Sequence, residues 1–155
     1  MKTILVGYDG TRGAERALAR AGELAKAFDA KVVVVSVAAL EPIPLTGGAF
    51  GLMPYYYPEP EVAGRTDEEL WRQHRERVQA FFSDLGVSAE FAGVEGEPVE
   101  EIVEVAEKRD ADLIVVGMHE LGFFERLLGG SVSEGVARRA RCDVLIVHAP
   151  DESGD

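Results

Sequence analysis

Two glycine-bearing loops and one Gly-Ser pair hold the residues best suited to chemistry. The loops are VGYDG at residues 6–10 and VGMHELG at residues 116–122, and the pair is Gly130-Ser131, just before a helical pattern. Glycine lets backbone N–H groups approach an anion closely, and a helix N-terminus adds unpaired donors and a positive dipole end. These segments therefore predict an anion cradle built from backbone amides, without a lysine.

The usual nucleotide motifs are absent from the chain. Gly7, Gly10 and Gly13 are spaced GxxGxxG rather than GxGxxG, and no GxxxxGK[ST] sequence occurs. A dinucleotide dehydrogenase and a P-loop hydrolase are therefore disfavoured. No nucleophile, base and orienting group occur together, so we predict no catalytic residues and, at most, slow hydrolysis.

Asp9 has two interpretations, and the residues alone leave both open. Its carboxylate follows a strand, where it could bond ribose hydroxyls or hold a metal ion. An Asp-Gly pair is equally a common turn that caps the following helix.

The remaining reactive side chains indicate no metal site. The single cysteine, Cys142, cannot form an internal disulfide, and it precedes a strand pattern typical of a buried core. His74, His119 and His148 have no zinc-motif spacing. His74 falls within the apolar pattern of a helix, which predicts a structural role.

The elements that must position these loops alternate regularly along the chain. Short runs rich in β-branched residues predict five strands, at residues 4–6, 32–37, 89–94, 113–116 and 144–147. Four helix-period patterns lie between them. Thr66-x-x-Glu69 and Ser131-x-x-Glu134 resemble capping boxes, Gly86 marks a helix end and Pro98 a helix start.

This alternation predicts one α/β domain: an open five-stranded parallel sheet with helices on both faces. With the strand order 3-2-1-4-5, strands one and four are neighbours where the order reverses, and the two glycine loops face each other. We place the domain at residues 1–149, with a long loop at residues 38–65 and a disordered tail at residues 150–155. The loop, with five of the seven prolines, is a lid, a dimerisation arm or a cover for the core.

The net charge and the hydropathy of the chain argue against two classes of partner, nucleic acids and membranes. The formal net charge of -12 repels phosphate backbones and anionic lipid, so nucleic acid is not an expected partner. No apolar run approaches the roughly 20 residues of a membrane helix, and the chain enters a strand pattern too early for a signal peptide. We expect a cytoplasmic protein with no membrane partner.

The motifs resemble those of the universal stress protein family, whose nucleotide-binding members carry G-x-x-G, nine residues, then G-[ST]. Here Gly117-Met118-His119-Glu120 is followed by nine residues and by Gly130-Ser131, and a strand-Asp-Gly sequence opens the chain. The resemblance spans residues 2–148. It implies a Rossmann-like fold of the adenine nucleotide alpha hydrolase type.

The resemblance also implies a site for ATP or another adenine nucleotide, with or without Mg²⁺. Asp9 and its neighbours would lie near the nucleoside, Val37 against the base, and the Gly130-Ser131 turn on the phosphates. The implied nucleotide-binding residues are Gly7, Tyr8, Asp9, Val37, Val116, Gly117, Met118, His119, Glu120, Gly130, Ser131 and Val132.

Glu120 departs from the family pattern, because it stands where the motif has its second glycine. An inward carboxylate would oppose a triphosphate by about 1 to 4 kcal/mol per charge pair at ~4 Å. A displaced loop using Gly122, a bridging metal ion or a ligand with fewer phosphates would each restore binding. The alternative is a dimeric interaction protein whose pocket is blocked by Glu120.

We therefore predict a nucleotide-binding regulatory module of the stress response. The resemblance implies a homodimer joined through the last strand, Val144 to Val147. A phosphoacceptor receiver domain shares the architecture, but it would need an acidic cluster where Asp9 stands alone and a lysine where His148 ends the last strand.

Overall fold

The computed structural model describes residues 1–39, 67–118 and 132–148. The predicted loop from residue 40 onward, the tail, and the first residues of both capping boxes, Thr66 and Ser131, lie outside these ranges. The elements of the described residues are β1 (Thr3–Gly7), α1 (Arg12–Phe28), β2 (Lys31–Ala39), α2 (Asp67–Leu85), β3 (Ala89–Gly96), α3 (Pro98–Lys108), β4 (Leu113–Gly117), α4 (Val132–Arg139) and β5 (Asp143–Val147).

The five strands form one parallel sheet in the order β3-β2-β1-β4-β5. Central Leu5 lies opposite Val33 on β2 and Ile114 on β4. The predicted order is confirmed. The chain leaves β1 toward one edge and returns to β4 on its other side, so β1 and β4 are neighbours where the order reverses.

Strand side chains alternate between two apolar cores, which is why the strand sequences are apolar throughout. Ile4 and Val6 face one core, which α1 and α2 close. Leu5 faces the other, with Ile102 of α3 and Val136 of α4. Helices therefore cover both faces of the sheet, as the sequence predicts.

Local signals set the helix ends. The hydroxyl of Thr11 accepts a bond from the Ala14 N–H at 3.3 Å and caps α1. Helix α2 ends at Leu85, and the next residue, Gly86, has a φ of 68° that suits glycine. Helix α3 starts at Pro98, as predicted, behind the N-cap Glu97. Among the described helices, none has the length and apolarity to cross a bilayer.

Candidate functional site

A cleft opens at the carboxyl ends of β1, β2 and β4, next to the first turns of α3 and α4. It measures about 570 Å³, its solvent-filled mouth included. Ligands of open parallel sheets bind at this position, where the strand order reverses and two neighbouring strands send their chains to opposite faces. The fold thus creates the cleft where the glycine loops meet.

Most predicted binding residues within the described ranges converge on this cleft. The lining includes Gly7, Tyr8, Asp9, Val37, Val116, Gly117 and Val132. Met118 is described but is not part of this lining; its N–H donates to the Val147 carbonyl at 2.9 Å and continues the β4–β5 pairing. The other predicted residues, His119, Glu120, Gly130 and Ser131, lie outside the described residues.

Asp9 lines the cleft and also forms the turn into α1. Its Oδ1 accepts bonds from the Thr11 backbone N–H at 3.0 Å and the Thr11 hydroxyl at 2.6 Å. Gly10 allows this tight turn because its φ is 82°, a left-handed value that favours glycine. Asp9 therefore forms the predicted turn, although the residue that caps α1 is Thr11. Its place in the lining leaves it able to contact a ligand as well.

Gly117 permits the closest approach at the base of the cleft. A methyl group on Gly117 would overlap the backbone carbonyl of Gly13 and lie 2.8 Å from its Cα. Helix α1 thus lies directly on the end of β4. This contact holds the β1 and β4 loops near each other, and it depends on the absence of a side chain at Gly117.

A chain of hydrogen bonds supports the β1 side of the cleft. The Tyr8 hydroxyl donates to Glu15 Oε1 at 2.6 Å, and Arg77 of α2 donates to both Glu15 oxygens at 3.1 and 2.8 Å. Burial and the bond to Glu15 raise the pKa of Tyr8, so its hydroxyl stays protonated. Burial raises the pKa of Glu15, but bonds from Arg77 and Tyr8 outweigh it and the pKa is lowered overall.

The lining also includes five residues, from several elements, that sequence reasoning missed. These are Ala14, Val35, Pro98, Ile102 and Ser133. Pro98 and Ile102 lie one turn apart at the start of α3. Their residue types and spacing are typical of a helix start and of its buried face. Their place in the site follows only from packing α3 across the sheet ends, so no local pattern could identify it.

Neither the cleft nor its surroundings present a metal centre within the described ranges. No group of three or more His, Cys, Asp or Glu side chains converges there. Among the described lining residues, Asp9 is the one carboxylate. Half-buried Cys142 lies before β5, and burial raises the pKa of its thiol, which favours the unreactive protonated form.

Together, sheet order and cleft define a class: an open parallel-sheet domain with a cleft at its topological switch point, which has apolar walls and, among the described lining residues, one carboxylate. The chain matches the universal stress protein family over residues 1–148. It belongs to that family.

Relatives and a solved structure agree with this assignment. The chain is 37% identical over 147 residues to a universal stress protein of Thermus aquaticus, covering 94% of this chain and 98% of the relative. It is 34% identical over 152 residues to one of Methanocaldococcus jannaschii, covering 96% and 83%. A solved universal stress protein in complex with cAMP is similar at 32% identity with a TM-score of 0.66, covering 96% of this chain and 98% of that one.

Proposed function

We propose that the cleft binds an adenine nucleotide and that the protein acts as a regulatory binding module of the stress response. The observation that carries the proposal is the convergence of Gly7, Asp9, Val37, Val116 and Gly117 on one cleft at the switch point. The similar solved structure in complex with cAMP supports an adenine ligand.

Different described residues of the cleft suit the base, the ribose and the phosphates of a nucleotide. Apolar walls at Val37, Ile102 and Val116 suit a flat base, because burying apolar surface is favourable and a base has two apolar faces. The carboxylate of Asp9 suits ribose hydroxyls as a hydrogen-bond acceptor. The first turn of α4, starting at Val132, borders the cleft, and the positive end of its helix dipole favours a phosphate there.

The same lining argues against rapid catalysis. No nucleophile stands beside a base and an orienting group among the described residues of the cleft, so binding rather than turnover is the proposed role. Asp9 fits a single carboxylate contact to Mg²⁺ carried by a nucleotide, an arrangement that this metal ion uses. The cytoplasmic location expected from the sequence stays a prediction.

We further propose a homodimer through β5. Among the described strands, this one pairs with β4 on one side and is the last of the sheet. Its residues Val144–Val147 are half-buried. An apolar edge strand favours pairing with a second strand, and sedimentation velocity of the purified protein tests the dimer.

Binding is tested by titrating purified protein with ATP, ADP, AMP and cAMP, with and without Mg²⁺, in a calorimeter. We expect saturable binding of at least one of the four. Asp9→Asn keeps an oxygen that can cap the turn but removes the charge and half of the acceptor capacity. We expect about a tenfold weaker affinity, the effect of losing a hydrogen bond to a charged group.

Asp110→Asn is the matched control for this substitution. Asp110 follows α3 at the opposite end of the sheet, and its φ of 50° is one that asparagine tolerates. Its replacement removes the same charge without touching the cleft, so affinity should not change. Absence of saturable binding in all four titrations would overturn the proposed function and favour a protein that acts through protein contacts alone.

A further inference from the structure

A buried histidine of α2 lies directly behind the turn that faces the cleft. His74 is 8% exposed, and its Nδ1 lies 2.7 Å from the Ser36 hydroxyl on β2. Its ring meets the Tyr8 ring edge-on, with the centroids 5.0 Å apart. His74 therefore contacts both β2 and the residue that follows β1, although its own helix is remote from both in the sequence.

The second ring nitrogen points at the turn itself. A methyl group on Gly10 would lie 3.1 Å from His74 Nε2. The imidazole thus lies directly beneath Gly10 and limits the space into which the turn could move inward. Gly10 follows Asp9, which lines the cleft. A shift of the His74 ring should therefore also shift the Asp9 carboxylate.

Charged groups face His74 from the elements packed around it. Asp9 on the turn and Glu15 on α1 act on His74, Tyr8 contributes a hydroxyl bonded to Glu15, and Arg77 of α2 bonds to Glu15. Burial lowers the pKa of His74 below its ordinary 6.5, while the carboxylates of Asp9 and Glu15 act in the opposite direction. The lowered pKa therefore favours the neutral ring over the charged one at neutral pH.

We propose that His74 is a positioning residue for the turn at residues 8–10, and that protonation of its ring shifts this turn and weakens ligand binding in the cleft. A charged ring has N–H donors at both nitrogens and attracts the Asp9 carboxylate away from the geometry that holds Thr11 and faces the cleft. The ligand half of this inference rests on the proposed function; the turn half does not.

The turn half is tested on the free protein by following backbone amide resonances from pH 5 to pH 8. In the natural protein, the signals of Tyr8, Asp9 and Gly10 should shift together with one midpoint below pH 6.5. The same midpoint should appear at the ring nitrogens of His74. In His74→Gln, which cannot titrate, the shared transition should vanish.

Two further variants keep this test decisive if His74→Gln does not fold. Ser36→Ala retains the ring but removes its hydroxyl partner, so the midpoint should move to lower pH because a charged ring gains the stronger hydrogen bond. Glu76→Gln is the matched control, since Glu76 is exposed on the same helix. Its midpoint should equal that of the natural protein.

The ligand half is tested by titrating AMP into both proteins at pH 7.5 and pH 5.5. The dissociation constant should rise about fivefold more in the natural protein than in His74→Gln, the lower end of typical coupling between two sites. The phosphate of AMP also titrates in this pH range, but it does so equally in both experiments. The comparison of the two proteins therefore removes its contribution. If the His74 ring only fills space, His74→Gln should change the affinity for AMP by the same factor at both pH values.

The outcomes separate the two proposals. If no nucleotide binds the natural protein at pH 7.5, the proposed function fails, and the amide resonances still decide whether His74 positions the turn. If AMP binds but the resonances of residues 8–10 do not follow the titration of His74, the positioning role is overturned. Tighter AMP binding at pH 5.5 in the natural protein alone would overturn the proposed direction of coupling.

Discussion

The two walls of the cleft are built by different physics. On the β1 wall, hydrogen bonds and charge connect the ligand-facing turn to α2. The residues involved are Tyr8, Glu15, Arg77 and His74. On the α3 wall, Ile102 packs in an apolar cluster with Val116 and Val136. The β1 wall should therefore respond to pH and charge, and the α3 wall to changes of side-chain volume.

The largest expected effect on stability is at the contact between Gly117 and Gly13, which holds the two walls of the cleft near each other. Gly117→Ala places a methyl group against the Gly13 carbonyl, where backbone rather than a flexible side chain must move. We expect a loss of more than about 3 kcal/mol in the free energy of unfolding, measured by urea denaturation.

Gly86→Ala serves as its control. Gly86 has a φ of 68°, but a methyl group there would meet no atom within 4 Å. The substitution should cost about 1 kcal/mol through the left-handed backbone alone. Equal losses at Gly117 and Gly86 would show that backbone conformation, not close packing, explains the glycine at Gly117.

The next effect belongs to the apolar wall. Ile102 is 5% exposed and lies between Gly7, Val116 and the floor of the cleft. Ile102→Ala should lower the free energy of unfolding by about 2 to 4 kcal/mol, because it removes buried methyl groups and leaves a cavity. Half-buried Val103→Ala, one position along the same helix, should cost less than half as much.

Measuring Ile102→Ala at pH 7.5 and pH 5.5 sharpens the contrast between the walls. The substitution changes volume without changing charge, so its cost should be the same at both pH values. A cost that changed with pH would mean that the apolar wall and the titrating wall are coupled through the cleft, against the separation proposed above.

The smallest effect is expected on the polar wall. Glu15→Gln weakens the bonds to Tyr8 and Arg77, but Arg77 is largely exposed and solvent screens the pair. We expect a cost of about 1 kcal/mol at pH 7. Glu23→Gln, which removes an exposed partner of Arg20 on the same helix, should cost almost nothing.

The pH dependence of Glu15→Gln follows from the lowered pKa of Glu15. The unfolded chain binds the proton at higher pH than the folded one, so this stability is complete above the ordinary value of 4.5 and is lost as pH falls through the folded pKa. The natural protein and Glu15→Gln should therefore converge in stability below pH 4.5. A difference that persisted at low pH would contradict the ionic role of Glu15.

The sequence predicted the sheet order, the helix boundary signals at Gly86 and Pro98, and seven residues that line the cleft. It could do so because strands buried on both faces have a recognisable composition and because parallel strands place their carboxyl ends at one edge. It missed Ile102 and Ser133, since a core isoleucine and a helical serine look the same whether or not they border a cleft.

The sequence by itself determined the family, the alternation of elements and the position of the cleft, because these depend on local periodicity and on the spacing of short motifs. Only the tertiary structure decided that Asp9 holds a turn while lining the cleft, and that His74 lies beneath that turn. The turn of Asp9 is local, but His74 and Gly10 are some 65 positions apart, and packing of α2 against β2 brings them together through contacts that no local pattern records.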